Sequence, residues 1–468
     1  LYGKDVFYPT EFMHGLFDGG MGAALDDFWN QMKKHPLFAG GFLWSFHDEG
    51  VVRVDRGGII DVSGNAAPDG ILGPHREKEA SFYTVKELWS PVIIHTSNIP
   101  EQFDGRISIE NAYLYSNLEN LRFSWKWVAF AKAADPSTTP IVICKGETKP
   151  PALLPGEMGW LQLPACNDAK AEGLILTVLD SMGKEIITRS WPLKTATALA
   201  EKSIVTNNIS TAEIKEDAAR IVVTMDNITY SFDKRTGFLG KVWNGKKEFE
   251  LSGGPALAGV SLDIDTFHHF RENDCYIVEA IYKGAEGYRS RWCFEKGRLP
   301  KLSYQYAVKS PVAFHGITFN LPEENIQGMK WLGRGPYRVW KNRTRGQQLG
   351  VWEKAYNNTI TGESWLYPEF KGWHAELYWA RIQLKDAAFT VYNGEDKIFL
   401  QMLQPARPAG ARNEYTSPPF PDAGIGFMHG ISPIGTKFQS ADRLGPQGAL
   451  NTALNYSPFK GSLWFDFR

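Results

Sequence analysis

VFYPTEFMHGLFDGGMGAALDDFWNQMKKHPLFAGGFLWSFHD, residues 6–48, decides how the chain is read, because Glu11 within it is the carboxylate whose setting looks built for chemistry. The apolar run 6–10 delivers Glu11 to a Gly-rich loop. Leu25, Phe28, Trp29 and Met32 then recur at i, i+3, i+4 and i+7, the spacing of one helix face. Asp26 and Asp27 open that helix, and Lys33, Lys34 and His35 close it before Pro36, an order of charge that suits the helix dipole. The second run, 40–46, is apolar on both faces, as a strand is when helices cover its sheet. The pattern predicts strand, helix, strand, with Glu11, His14, Trp44 and Asp48 at strand ends, where reactive side chains collect in such units. On local pattern alone, an acidic loop residue beside core aromatics is the plainer reading.

TEFMHG followed by GG, a helix ending in HP, and then GGFLWSFHD resemble the end of the barrel in glycoside hydrolase family 2, the beta-galactosidase group. The resemblance implies that Glu11 is the catalytic nucleophile, that His14 contacts the sugar and that Trp44 lines the subsite floor. Asp48, on the same predicted rim, is a further substrate-binding candidate. The loop 15–22 departs from the family's AMGNS-like run, which leaves the choice of sugar open. Residues 69–92, DGILGPHREKEASFYTVKELWSPV, resemble the family's barrel exit: Arg76, Tyr83, Val85, Lys86, Pro91 and Val92 match in one register, whereas His75, Glu77, Lys78 and Ala80 depart.

Downstream the texture changes to beta-rich runs. RISIENAYLYSNLENLRFSWKWVAF reads as a hairpin turning near 116–119, with further strands at intervals that suit an all-beta sandwich, and Trp125 and Trp127 alternate with Lys126 as core-facing residues do. Residues 194–218 are polar and poorly periodic and read as a linker. GRGPYRVWKNR, 333–343, resembles the family's GxGPxExYxDR segment, with Arg338, Trp340 and Asn342 where Glu, Tyr and Asp are usual; LYPEFKGW, 366–373, matches its next landmark loosely. GIGFMHGISPIGTKF, 424–438, aligns with the loop by which the family's large sandwich reaches back to the active site, and Phe438 is its aromatic candidate for the sugar. The expected fold is mainly β: a remnant of a (β/α)8 barrel over 1–92, an immunoglobulin-like β-sandwich over 93–193, the linker, and a large C-terminal β-supersandwich over 219–468, small-chain-like and galactose-mutarotase-like.

The 468 residues suggest two to four domains, and 43% hydrophobic with 22% charged residues is the composition of a soluble globular chain. A net charge of -1 gives no electrostatic reason to expect nucleic acid or an anionic membrane as partner, and no apolar run is long enough to span a bilayer. Four cysteines show no CxxC spacing; a disulfide between Cys275 and Cys293 stays open. The chain starts almost inside a strand and reads as a piece of something longer, with its compartment, periplasm or cytoplasm, undecided.

A retaining glycosidase needs two carboxyl groups, and Glu11 supplies only the nucleophile. The expected function is the C-terminal part of a retaining exo-acting hydrolase, a beta-galactosidase first, with glucuronidase and mannosidase open. The alternative is a non-catalytic carbohydrate-binding or structural fragment. No cofactor or metal site is expected within this chain; in the resemblance a magnesium ion belongs to the parent enzyme. Expected partners are a carbohydrate substrate and either a homo-oligomer or a complementary N-terminal fragment.

Overall fold

Residues of alternating polarity build most of this molecule, because a strand with one apolar face is stable only when that face is covered. The computed structural model describes residues 3–16, 21–61, 63, 66–100, 102–207, 210–284, 287–309, 311–358, 369–405, 415–452 and 457–468. Parts of the 15–22 loop and of the 366–373 landmark therefore lie outside the described residues. The described residues are mainly β, with α-helices at Leu25–Met32 (α1), Ala80–Leu88 (α2) and Ala196–Ile204 (α3). None of these helices is long and apolar enough to cross a membrane.

Beyond residue 210, a ten-stranded and a nine-stranded sheet enclose one core. Strand Arg220–Met225 shows why: Ile221, Val223 and Met225 are buried and the residues between them are not. Phe232, Trp292, Trp331 and Phe465 fill the space between the sheets. The named strand pairs here are antiparallel, and Cys275 and Cys293 form a disulfide between adjacent strands.

Between residues 92 and 193, a three-stranded and a four-stranded sheet close over Ile107, Phe123, Trp127, Leu174 and Trp191. Trp125 and Trp127 point inward and Lys126 outward. The expected hairpin over 106–129 does not form. Strand Arg106–Asn111 pairs with Val92–Ile94 and Met158–Gln162, whereas Arg122–Ala129 pairs with Ile141–Thr148 and Gly173–Leu179. The turn at Leu118–Asn120 carries the chain from one sheet to the other, which lets each strand bury its apolar face across the sandwich.

The runs 6–10 and 40–46 do not make ladder strands either. Phe7 of the first run bridges Phe38, just before the second, and Leu43 of the second bridges Phe12, just after the first, each as an isolated parallel bridge. Among the described residues no sheet strand pairs with these two segments, and Val6, Tyr8, Phe42 and Phe46 are all exposed. Between the two sandwiches, the stretch read as a linker holds α3, whose first turn is capped by Thr195. Ala196, Ala200 and Ile204 are buried between Val128 and Phe130 on one side and Leu332, Val351 and Trp379 on the other.

Glu87, near the end of α2, ties the N-terminal segment to both sandwiches. Its carboxylate accepts from Arg189 of the small sandwich, from Arg345 Nη1 at 3.2 Å and from the Gly346 amide at 2.6 Å. Glu87 and Arg189 are largely out of water, so removing one leaves the other's charge without its partner. Glu87→Ala should therefore cost ~3 kcal/mol in denaturant unfolding. A loss below ~0.5 kcal/mol, the size of a surface ion pair, would contradict the junction's role.

A second prediction concerns the end of the large sandwich, where Tyr306 and Tyr304 hydrogen-bond to His315 at 3.0 Å and to His429 at 3.2 Å. Burial pushes His315 down to about 4, and burial, with His315 nearby, pushes His429 down to about 3. Below the ordinary histidine value of 6.5 the unfolded chain binds protons that the folded one refuses. Stability must therefore fall as pH drops from 6.5 towards 4, by about 1.4 kcal/mol per pH unit for each histidine. The double replacement His315→Gln and His429→Gln should flatten this acid limb relative to the parent chain; parallel curves would contradict the assignment.

Candidate active site

Glu11 sits where the first bridged segment ends. Phe12 donates its amide to Phe42 O and accepts the Trp44 amide, both at 3.2 Å, so main-chain bonds place Glu11 and His14 beside Trp44. Glu11 is half exposed, whereas the His14 ring is mostly buried, and its Nε2 lies 2.7 Å from Glu11 Oε1. Since the ionised carboxylate only accepts, His14 is the donor and Nε2 carries the proton. This bond occupies one carboxylate oxygen and leaves the other for a ligand.

A loop of the large sandwich completes the rim. Phe438 packs edge-on against the His14 ring, centroids 4.9 Å apart, and Trp44 lies 6.3 Å from the same ring on a tilted plane. Trp44 and Phe438 both remain substantially exposed. Two accessible aromatic rings thus lie beside the half-exposed carboxylate.

The loop is held at its base by Asn342. Its Nδ2 donates to Ile434 O at 2.8 Å and its Oδ1 accepts the Ile434 amide at 3.0 Å, while its own carbonyl accepts the Ala24 amide at 2.7 Å, ahead of α1. At the tip, the Lys437 amide donates to His14 O at 2.8 Å, and the Lys437 ammonium reaches Asp69 Oδ2 and Ala66 O, each at 2.7 Å. Asp69 is buried, which pushes its carboxyl up, and the Lys437 bond works against that rise.

Of the residues singled out from sequence, Glu11, His14, Trp44 and Phe438 are neighbours in space. Asp48 is different: it is buried, and its Oδ1 accepts the Gly70 amide at 2.8 Å, so it braces the 66–72 turn. Asn342 and Lys437 escaped the sequence reading. Asn342 stands at a departure from the family pattern, and that departure was the available signal; Trp340, beside it, is core, fully buried against Phe420. Among the described residues, no group of three or more His, Cys, Asp or Glu is arranged to hold a metal ion. The rim alone offers one half-exposed carboxylate hydrogen-bonded to a histidine.

The family described as "Beta galactosidase small chain" matches residues 224–405, which lie in the large sandwich. A beta-galactosidase of Actinobacillus pleuropneumoniae is 24% identical over 294 residues, 59% of this chain and 26% of that protein. The beta-galactosidase BgaC of Bifidobacterium adolescentis is 22% identical over 452 residues, 81% of this chain and 39% of that one. An exo-chitosanase of Amycolatopsis orientalis superimposes with a TM-score of 0.17 at 12% identity, covering 57% of this chain and 29% of its own. The chain thus spans about a quarter to two fifths of the length of the curated relatives that it matches.

Because Phe438 is 58% exposed and touches His14 by an edge, Phe438→Ala should cost no more than ~1 kcal/mol of stability by chemical denaturation. A cost of ~3 kcal/mol or more would make the ring part of the core and not an open face of the rim.

Proposed function

We propose, starting from the match of residues 224–405 to the beta galactosidase small chain family, that this chain is the C-terminal part of a retaining, exo-acting glycoside hydrolase. We read it as a beta-galactosidase in which Glu11 is the nucleophile. The observation that carries this reading is the Glu11 carboxylate, half exposed, oriented by His14 and flanked by Trp44 and by Phe438 of the large sandwich.

In this mechanism a terminal β-linked sugar rests against the two rings with its anomeric carbon facing the free oxygen of Glu11. That oxygen attacks, the bond to the leaving oxygen breaks, and a second carboxylic acid protonates the departing group. Water, deprotonated by the same residue, then displaces Glu11 with a second inversion. The His14 N–H fixes the carboxylate's rotation and takes up part of its charge before attack and after release.

The acid/base residue belongs, on this reading, to upstream barrel strands of the whole protein. The exposed Tyr8, Phe42, Phe46, Val51 and Val54 support it, since further strands packed there would take these side chains out of water. Asp48 and Asp69 are buried and engaged within the 66–72 turn, which argues against either as the acid. The described residues offer no ligand set for a magnesium ion, so no step here is routed through one.

The test uses the 468-residue chain and the same chain extended by the upstream barrel, assayed with aryl β-galactosides. The shorter chain should be nearly inert and the longer one active. Glu11→Gln in the longer protein, nearly isosteric, should lower kcat by at least roughly a thousandfold with the fold intact. Near-normal turnover by that variant would remove Glu11 from the mechanism. Sugar binding by the shorter chain, with an extended protein that is folded but inactive, would favour a carbohydrate-binding fragment instead.

A further inference from the structure

Lys437 joins three segments that are far apart in sequence. Its ammonium donates to Asp69 and Ala66, its main-chain N–H donates to His14 O, and the next residue, Phe438, lies against the His14 ring. The turn it grips is also bound to the backbone that follows the other ring of the rim. Asp69 O accepts the Ser45 amide at 2.8 Å, directly after Trp44, and Ala67 O accepts the Glu49 amide at 2.9 Å.

Asp69 is 1% exposed. A carboxylate taken that far from water keeps its charge only against a close cation or several donors. Lys437 is such a cation, and it arrives from the large sandwich, 368 positions away in the chain. The bond therefore couples the large sandwich to the turn that fixes Trp44 and to the segment that carries Glu11 and His14.

We infer that Lys437 is a positioning residue of the Glu11 rim. By clamping the 66–72 turn while its own main chain holds His14, it sets the spacing between Phe438 and Trp44 and hence the shape of the wall that a sugar meets. Its effect on turnover rests on the glycosidase reading above; the clamp does not.

Two measurements separate these levels. In the 468-residue chain, Lys437→Met should speed hydrogen exchange at the Ser45 and Glu49 amides by at least about tenfold, because Asp69 loses its cation and the turn loosens. The double variant Lys437→Met, Asp69→Leu removes both charges and should bring that exchange back to within about threefold of the parent. In the chain extended by the upstream barrel, both variants should raise KM for an aryl galactoside about tenfold and change kcat by less than about threefold, since the wall is displaced but Glu11 is kept.

A stabilising role alone predicts something else, namely that the double variant regains the parent KM along with its protection, and that result would overturn the inference. Unchanged exchange in Lys437→Met would overturn the clamp itself. If the unaltered longer protein shows no turnover, the glycosidase reading fails, and the exchange measurement still decides whether Lys437 couples the loops.

Discussion

The carboxylate of Glu87 is where the three parts of this chain are held together. It accepts from Arg189 in the small sandwich and from Arg345 and Gly346 in the large one, while belonging to the helix that ends the N-terminal segment. Neighbouring contacts depend on that alignment: Tyr83 stacks on Tyr337 with centroids 5.0 Å apart, Thr84 Oγ1 donates to Arg345 O, and Arg345 also grips Asp26 at the start of α1. A charge-assisted junction of this kind is directional, so it fixes orientation as well as adhesion.

That geometry explains how a rim with little structure of its own becomes ordered. The segments bearing Glu11 and Trp44 share only isolated bridges, and much of their apolar surface faces water. Their order comes from the large sandwich, through Asn342 at the base of the 434–438 loop and Lys437 at its tip. A rigid two-sheet body thus supplies, at a distance, the constraint that a closed barrel would supply locally.

Sequence patterns announced what is decided locally. The apolar spacing of α1 and the alternation of Trp125, Lys126 and Trp127 are imposed by helix and strand geometry, and they hold in the structure. Glu11, His14 and Trp44 were legible because a resemblance supplied their company. Pairing was not legible: the run 106–129 has the composition of a hairpin, but which sheet each strand joins depends on strands far downstream. Helix α3 was missed because Ala196 and Ala200 are small, and their burial between two bodies leaves only a weak periodic signal. Lys437 was missed for the plainest reason, since a lysine in a loop reads as solvated until its distant carboxylate is known.

The proposed mechanism requires Glu11 to form a covalent bond with the sugar. The direct measurement is to treat the chain, extended by the proposed upstream barrel, with a 2-fluoro-galactosyl reagent that slows release of the glycosyl-enzyme, and then to locate the adduct by peptide mass spectrometry. The adduct is predicted on Glu11, in the peptide carrying the sequence TEFMHG, and should be absent when Glu11 is replaced by Gln. An active protein whose adduct lies on another carboxylate, with Glu11 unmodified, would remove Glu11 as the nucleophile.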